Sequence, residues 1–238
     1  MSAYLWALKG NTMQAFINWS GGKDCTLALH KVLDQKQLRV ASLFTTISRE
    51  HQRVSMHGVR KELITRQAQS LGISSRKVYL PENLDMPVYD TYMKHEMALM
   101  KQRGLDHVVC GDIFLEDLRK YREEKLSSAG IQAHFPLWKI NTTDLLKEFI
   151  ALGYKAVIVC VDQSKLDNSF LGRELNLELI NDLPAHVDPC GENGEYHSFV
   201  YDGPIFNEPI NIRQGEVVER SYTHEGKDFG FGFMDLTL

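Results

Sequence analysis

Ser20-Gly21-Gly22-Lys23-Asp24-Cys25 is the stretch on which the fold of this 238-residue chain turns. In front of it, Ala15-Phe16-Ile17-Asn18-Trp19 is short, apolar and rich in aromatic and β-branched residues, and so reads as a strand. Behind it, Ala28, Leu29, Val32 and Leu33 recur at helical spacing. The glycines therefore sit at a strand-to-helix turn. A helix N-terminus placed there offers backbone N–H groups without intrahelical partners and a partial positive charge, which together attract phosphate. Gly21 and Gly22 let the main chain come close, Ser20 adds a hydroxyl, Lys23 a compact cation, and Asp24 a carboxylate able to cap the helix or help hold Mg²⁺. The spacing is not that of the G-x-x-x-x-G-K-[ST] phosphate loop, because Lys23 follows two adjacent glycines; ordinary kinase or GTPase chemistry is disfavoured.

The chain is long enough for a full core, with 43% hydrophobic residues, and should form one large domain or two smaller ones. A formal net charge of -4 argues against a broad basic surface, so no nucleic-acid partner is expected. Cys25, Cys110, Cys160 and Cys190 form no C-x-x-C pair, and three lie in or beside apolar runs, a pattern that fits reduced thiols in the cytoplasm. No run approaches the roughly 18 apolar residues of a membrane span, and the first residues lack a signal-peptide pattern, so a cytoplasmic protein without a membrane partner is the expectation. Residues 1–13, with Tyr4, Leu5, Trp6 and Leu8, are expected as an N-terminal extension or a short element packed on the domain. A homodimer is a default expectation that rests on no particular residue.

Further along, Leu38 to Ile47 reads as a second strand beside the first. After the polar segment Ser48 to His57, Val59, Leu63, Ile64, Ala68 and Leu71 mark a helix ended by Gly72. Ser75 to Leu80 makes a third strand, and Val88 to Arg103 a helix whose Tyr and Met stripe reads as core. Leu105 to Asp112 is a strand ending in Gly111-Asp112. This alternation predicts right-handed βαβ units and a parallel sheet covered on both faces, with ligands at the carboxyl ends of the strands. Ser20–Cys25 and Gly111-Asp112 both occupy such ends and can face one pocket. Asp112 there is either a ligand of Mg²⁺ or water or a plain turn residue. Between Phe114 and Ala129 the sequence predicts a highly charged helix, a solvated face with intrahelical pairs, from which Arg119 and Arg122 are also candidates to reach a triphosphate. Ile131 to Phe135 reads as a fifth strand. Pro136-Leu137-Trp138 then breaks the chain into domains at 14–135 and 136–238.

In the second part, Asn141 is placed to cap a helix running to Leu152, and Tyr154 to Val161 is a buried strand. Leu171 to Leu183 reads as a helix, Ser198–Tyr201 and Val217–Tyr222 as β structure, and Phe229 to Phe233 as an edge strand or loop. Residues His186 to His197 concentrate acids, histidines, an amide and a thiol. Three readings are open. Cys190, His197 and a carboxylate could bind metal, although the spacing is wrong for a zinc knuckle. Asp-Pro and Asn-Gly could form a turn-rich connector. Or Glu192 and Glu195 grip a cationic substrate while Asn193 and His197 add directional hydrogen bonds.

The glycine loop resembles the SGGxDS loop of the PP-loop ATP pyrophosphatases, which cleave ATP between the α and β phosphates. Cys25 departs from it, standing where that motif ends in serine. A thiol donates weak hydrogen bonds, and at a helix N-terminus its pKa is expected to fall. Taken together, Ser20–Asp24, Met56-His57-Gly58, Gly111-Asp112-Ile113, Pro136-Leu137-Trp138, Leu171-Gly172-Arg173, Asp188–His197 and Asp202-Gly203-Pro204 resemble the successive signatures of the diphthine-ammonia ligase family. That resemblance implies an α/β fold of the adenine nucleotide alpha hydrolase type, Rossmann-like with five parallel strands, plus a smaller α+β domain. It also implies the conversion of diphthine on elongation factor 2, ATP and ammonia into diphthamide, AMP and pyrophosphate.

On this reading the candidate ATP site comprises Ser20, Gly21, Gly22, Lys23, Asp24, Cys25, Phe44, Thr45, His57, Gly58, Gly111, Arg119 and Arg122. Lys23, Asp24 and Asp112 are the candidate catalytic residues, with Mg²⁺ on Asp24 and Asp112. Trp138, Glu192, Asn193, Glu195, Tyr196 and His197 are set against the acceptor, whose trimethylammonium group suits carboxylates and aromatic faces. No segment of domain size remains to release ammonia, which is expected to arrive free. Three alternatives stand: the same chemistry on a different carboxylate, a non-catalytic ATP- or AMP-binding protein, and a tRNA thiolase or lysidine-type enzyme. The acidic balance and isolated cysteines speak against the last.

Overall fold

The structure, a computed structural model, describes residues 12–82, 84–224 and 227–238. The expected extension lies outside the described residues as far as Asn11, and Met13 already opens β1 (Met13–Asn18). In β1 the alternation of a strand sends Ala15 and Ile17 into one hydrophobic cluster and Phe16 into another, and none of the three is exposed. A strand buried on both faces needs helices on both sides. The chain supplies them as α1 (Lys23–Gln35), β2 (Leu38–Ser48), α2 (Lys61–Leu71), β3 (Ser74–Leu80), α3 (Met86–Gln102), β4 (His107–Val109), α4 (Glu116–Ser128) and β5 (Gln132–His134).

Local signals set the ends of these helices. Gly72 closes α2 in the left-handed region at φ 66°, and the Asp85 side chain accepts from Val88 N at 2.9 Å to start α3. The methionine stripe of α3 is core: Met97 and Met100 are buried against Phe16, Phe44 and Val108. The five strands form one parallel sheet in the order β3-β2-β1-β4-β5. The strand order reverses between β1 and β4, β2 and β3 lying to one side and β4 and β5 to the other, which opens a crevice at the carboxyl ends of β1 and β4. This is a Rossmann-like fold.

α5 (Thr142–Ala151), capped by Asn141 onto Asp144 N at 3.1 Å, leads into the second sheet. That sheet comprises β6 (Lys155–Asp162), β7 (Tyr196–Asp202), β8 (Arg213–His224) and β9 (Lys227–Thr237), antiparallel in the order β7-β6-β9-β8. Two expectations are corrected here. The helix expected over Leu171–Leu183 is only α6 (Leu177–Asp182). Gly172 takes φ 77°, and the stretch before α6 lies along β6, with Gly172 N donating to Ile158 O, Ile158 N to Arg173 O and Leu175 N to Ala156 O. The pull of an open sheet edge outweighs helical spacing. Phe229–Phe233 is neither loop nor edge; it is the middle of β9, paired to β6 on one side and β8 on the other.

One cluster of buried residues runs without a break from β1 and α1 through α5 to β6 and β7. His30 Nδ1 meets Tyr154 Oη at 2.7 Å, and Lys31 pairs with Glu148 at 2.6 Å, so α1 serves both sheets.

Candidate active site

The turn after β1 is built on Gly21, whose φ of 86° lies in the left-handed region that favours glycine. A Cβ there would also come within 2.7 Å of Gln67 Oε1. Gln67, fully buried on α2, accepts from Trp19 Nε1 at 2.8 Å and donates to Gly21 O at 3.0 Å and Val200 O at 2.7 Å. Val200 N donates to Gly21 O at 2.9 Å, and Lys23 N to Ser198 Oγ at 3.2 Å, so β7 lies along the loop. Neither Gln67 nor Ser198 carried a sequence signal beyond a polar residue among apolar neighbours.

Gly22 is the N-cap of α1 with no capping side chain, so Asp24, an expected cap, stands in the first turn instead. Lys23 is 4% exposed. Its Nζ pairs with Asp24 Oδ2 at 2.9 Å, donates to the carbonyl of Cys190 and lies 5.2 Å from the centre of the Tyr196 ring. Burial alone would lower the ammonium pKa, but Asp24, Tyr196 and Cys190 outweigh it and hold it above its usual value. The Asp24 side chain keeps 34% of its surface open. The Cys25 thiol donates to Gly22 O at 3.1 Å, and burial pushes its pKa up, against the Ser20 groups that favour thiolate. The expected fall does not occur, because desolvation outweighs the helix terminus.

The end of β4 reaches this turn directly. A Cβ on Gly111 would sit 2.9 Å from the backbone carbon of Asp24 and 3.0 Å from Cys25 N, so only glycine permits the approach. Asp112 lies 3.3 Å from Arg122 as an ion pair, and its buried Oδ2 and the Arg122 Nε complete no well-formed hydrogen bond. Glu192 Oε1 accepts from Ile113 N at 2.7 Å and Phe114 N at 3.3 Å, tying the second constellation to the same strand end. Burial raises its pKa to about 7.

The remainder of Asp188–His197 folds on itself. Glu195 is buried and accepts from Asp188 N at 3.0 Å, Asn193 N at 2.9 Å and Asn193 Nδ2 at 3.1 Å. Asp188 accepts from Cys190 N, Glu192 N and Thr142 Oγ1, and Tyr196 donates to Pro189 O at 2.5 Å. These groups shape the loop. His197 stacks on His57 with ring centres 4.2 Å apart; burial, with Lys23 nearby, takes His197 down to about 4, and burial with His197 takes His57 well below its usual value. The ring of Phe233 packs on Gly58.

Other candidates stand apart. Phe44 is core, and Thr45 is buried with its hydroxyl on Trp19 O at 2.7 Å. Arg119 lies between Phe135 and Trp138, 4.7 and 4.5 Å from their ring centres, and donates to Glu123 at 2.7 Å, so a Trp138 face expected for the acceptor is already covered. Surface cavities of about 430 and 220 Å³ lie beside His107 and His134, away from the glycine loop. Among the described residues, no three His, Cys, Asp or Glu side chains cluster as a metal site. Mg²⁺ with one or two carboxylates and substrate oxygens needs no such cluster, and the unsatisfied Asp112 oxygen fits that mode.

A switch-point crevice filled by a glycine turn, a Gly-Asp strand end and a folded-over acidic segment defines the class: a Rossmann-like α/β protein of the PP-loop type. Comparison with known proteins narrows it. Residues 13–133 match the diphthamide synthase N-terminal domain, and residues 141–229 the diphthamide synthase C-terminal domain. The chain belongs to the diphthamide synthase family. It is similar to the diphthine–ammonia ligase of Homo sapiens, 28% identical over 228 residues that cover 85% of this chain and 84% of that protein. The diphthine–ammonia ligase of Danio rerio is 28% identical over 229 residues, 85% and 87% of the two chains.

Proposed function

We propose that this chain is an ATP-dependent carbon–nitrogen ligase that converts diphthine, ATP and ammonia into diphthamide, AMP and pyrophosphate. What supports this most is the meeting of the glycine turn, His57, the Gly111–Ile113 strand end, Glu192 and His197–Ser198 at one crevice. The names of the relatives point the same way.

A carboxylate cannot accept ammonia directly, because oxide would have to leave. Attack on the α-phosphate gives an acyl adenylate whose leaving group is AMP. In that step the amides of the glycine turn and Lys23 stabilise charge growing on pyrophosphate. Lys23 must leave the Cys190 carbonyl to do so, which couples nucleotide entry to movement of the acidic segment. When bound, Mg²⁺ on Asp24 and Asp112 would share the phosphate charge. Glu195 organises the acidic loop on this reading, and Glu192 and the His57–His197 stack face the crevice. Residues 14–135 form the nucleotide half and 136–238 the acceptor half, with elongation factor 2 as the protein substrate. A cytoplasmic location accords with four free, buried cysteines; among the described residues no helix is long and apolar enough to cross a membrane.

The test is α-labelled ATP with Mg²⁺, ammonium and diphthine-bearing elongation factor 2. AMP and pyrophosphate are expected only with acceptor, and Lys23→Ala should lower the rate by about 100-fold or more. Acceptor-independent AMP would move the substrate to another carboxylate. Bound but intact ATP would make the chain a sensor and sink the ligase.

A further inference from the structure

The second sheet has two edges of different character. β7 is occupied: Val200 N donates to Gly21 O at 2.9 Å and Ile210 N to Tyr201 O at 2.7 Å. β8 is open. Every residue from Arg213 to Ser221 is exposed, and among the described residues its backbone bonds only to β9. Val217 and Val218 are 45% and 37% exposed. A long strand with an unpaired edge is a template for another strand.

Side chains alternate along β8. Glu219, on the face shared with Val217, is held by Gln163 Nε2 at 3.0 Å and Asn168 Nδ2 at 2.7 Å. Val218 and Arg220 share the opposite face; Glu216 lies within the register shift between Gln214 and Val217, one residue before the regular ladder resumes, and neither its charge nor that of Arg220 has an ion-pair partner among the described residues.

We propose that β8 pairs antiparallel with β8 of a second copy of this chain, in the register centred on Val218, joining the two sheets into one. Only every second residue of an edge strand points its N–H and C=O outward, so two copies related by a twofold axis pair in registers centred on a residue. Centring on Glu216, Glu219 or Arg220 sets a charge opposite itself. Centring on Val217 puts Arg220 against Gln214 and Glu219 against Gly215. Centring on Val218 sets Glu216 of each copy against Arg220 of the other, with valine on valine between them. The strand is self-complementary in that register alone within Glu216–Arg220.

Sedimentation velocity on the full chain over a range of concentrations tests this without reference to the ligase reading. A species of two chains, each 27.2 kDa, is expected, weakening in high salt. Glu216→Arg and Arg220→Glu should each raise the dissociation constant by about tenfold or more, since each turns two attractive pairs repulsive. The double variant Glu216→Arg/Arg220→Glu should return it toward the original value, which also shows that the substitutions leave the fold intact. A monomer at every concentration overturns the proposal. So does a dimer indifferent to the single changes, or a double variant no better than either. Slow amide exchange along β8 in a monomer would mean that another segment of the same chain covers the edge, and would overturn it equally.

Discussion

Glu192 holds two backbone N–H groups and yet resists ionisation, because burial outweighs them and Asp24 adds its charge. Its folded pKa of about 7 stands above the ordinary 4.5. The native state therefore keeps a proton that the unfolded chain releases. This contribution to stability is complete below pH 4.5 and is lost as pH rises through 7, at about 2 kcal/mol after allowance for solvent. Urea unfolding from about pH 4.5 to 8 should show that slope, and Glu192→Gln, which mimics the protonated form, should flatten it; an unchanged slope would place the proton elsewhere. The glycine turn was legible at this scale because its cues are local: two glycines, a strand before and a helix after. Gln67 was not, since nothing along the chain says which buried amide will find Gly21 and Val200. Cys25 was misread for the same reason, its surroundings being supplied by tertiary packing.

Among the elements, β9 has a role that its glycine-rich sequence conceals. Asp235 accepts from Arg60 Nε at 2.9 Å and Nη2 at 2.6 Å and pairs with Arg53 at 2.9 Å, while Arg53 also donates to Gly58 O at 2.9 Å. The Arg60 hydrogen bonds, with Arg53 beside them, hold the Asp235 carboxyl down at about 2. Here the folded pKa is depressed, so the stability is present above the unfolded value of 3.8 and disappears as pH falls through 2. Asp235→Asn should cost about 1 kcal/mol at neutral pH after allowance for solvent, weaken the acid-unfolding slope and speed amide exchange at His57 and Gly58. Unaltered exchange there would show that the pair steadies β9 alone. The parallel sheet was readable because strands and helices alternate at regular lengths, and that rule also brought Gly111 to the turn. Leu171–Asn176 and β9 were not readable, since an edge of β6 decides both and that edge exists only once the sheet has formed.

The described residues form two sheets, and one of their two buried clusters runs through both, with α1 packed against each sheet. A chain cut between residues 135 and 136 should give pieces that lack cooperative thermal unfolding when separate and regain it when mixed. Full cooperativity in the first piece alone would show that its parallel sheet needs no cover. The same geometry changes what the turn at Gly21 means. Its carbonyl takes hydrogen bonds from Gln67 and from Val200, one from each half of the chain. A loop usually read as an entrance is also a weld. A substitution there breaks a mechanical joint before it spoils any chemistry, and lost turnover in such a variant is first a measure of the joint.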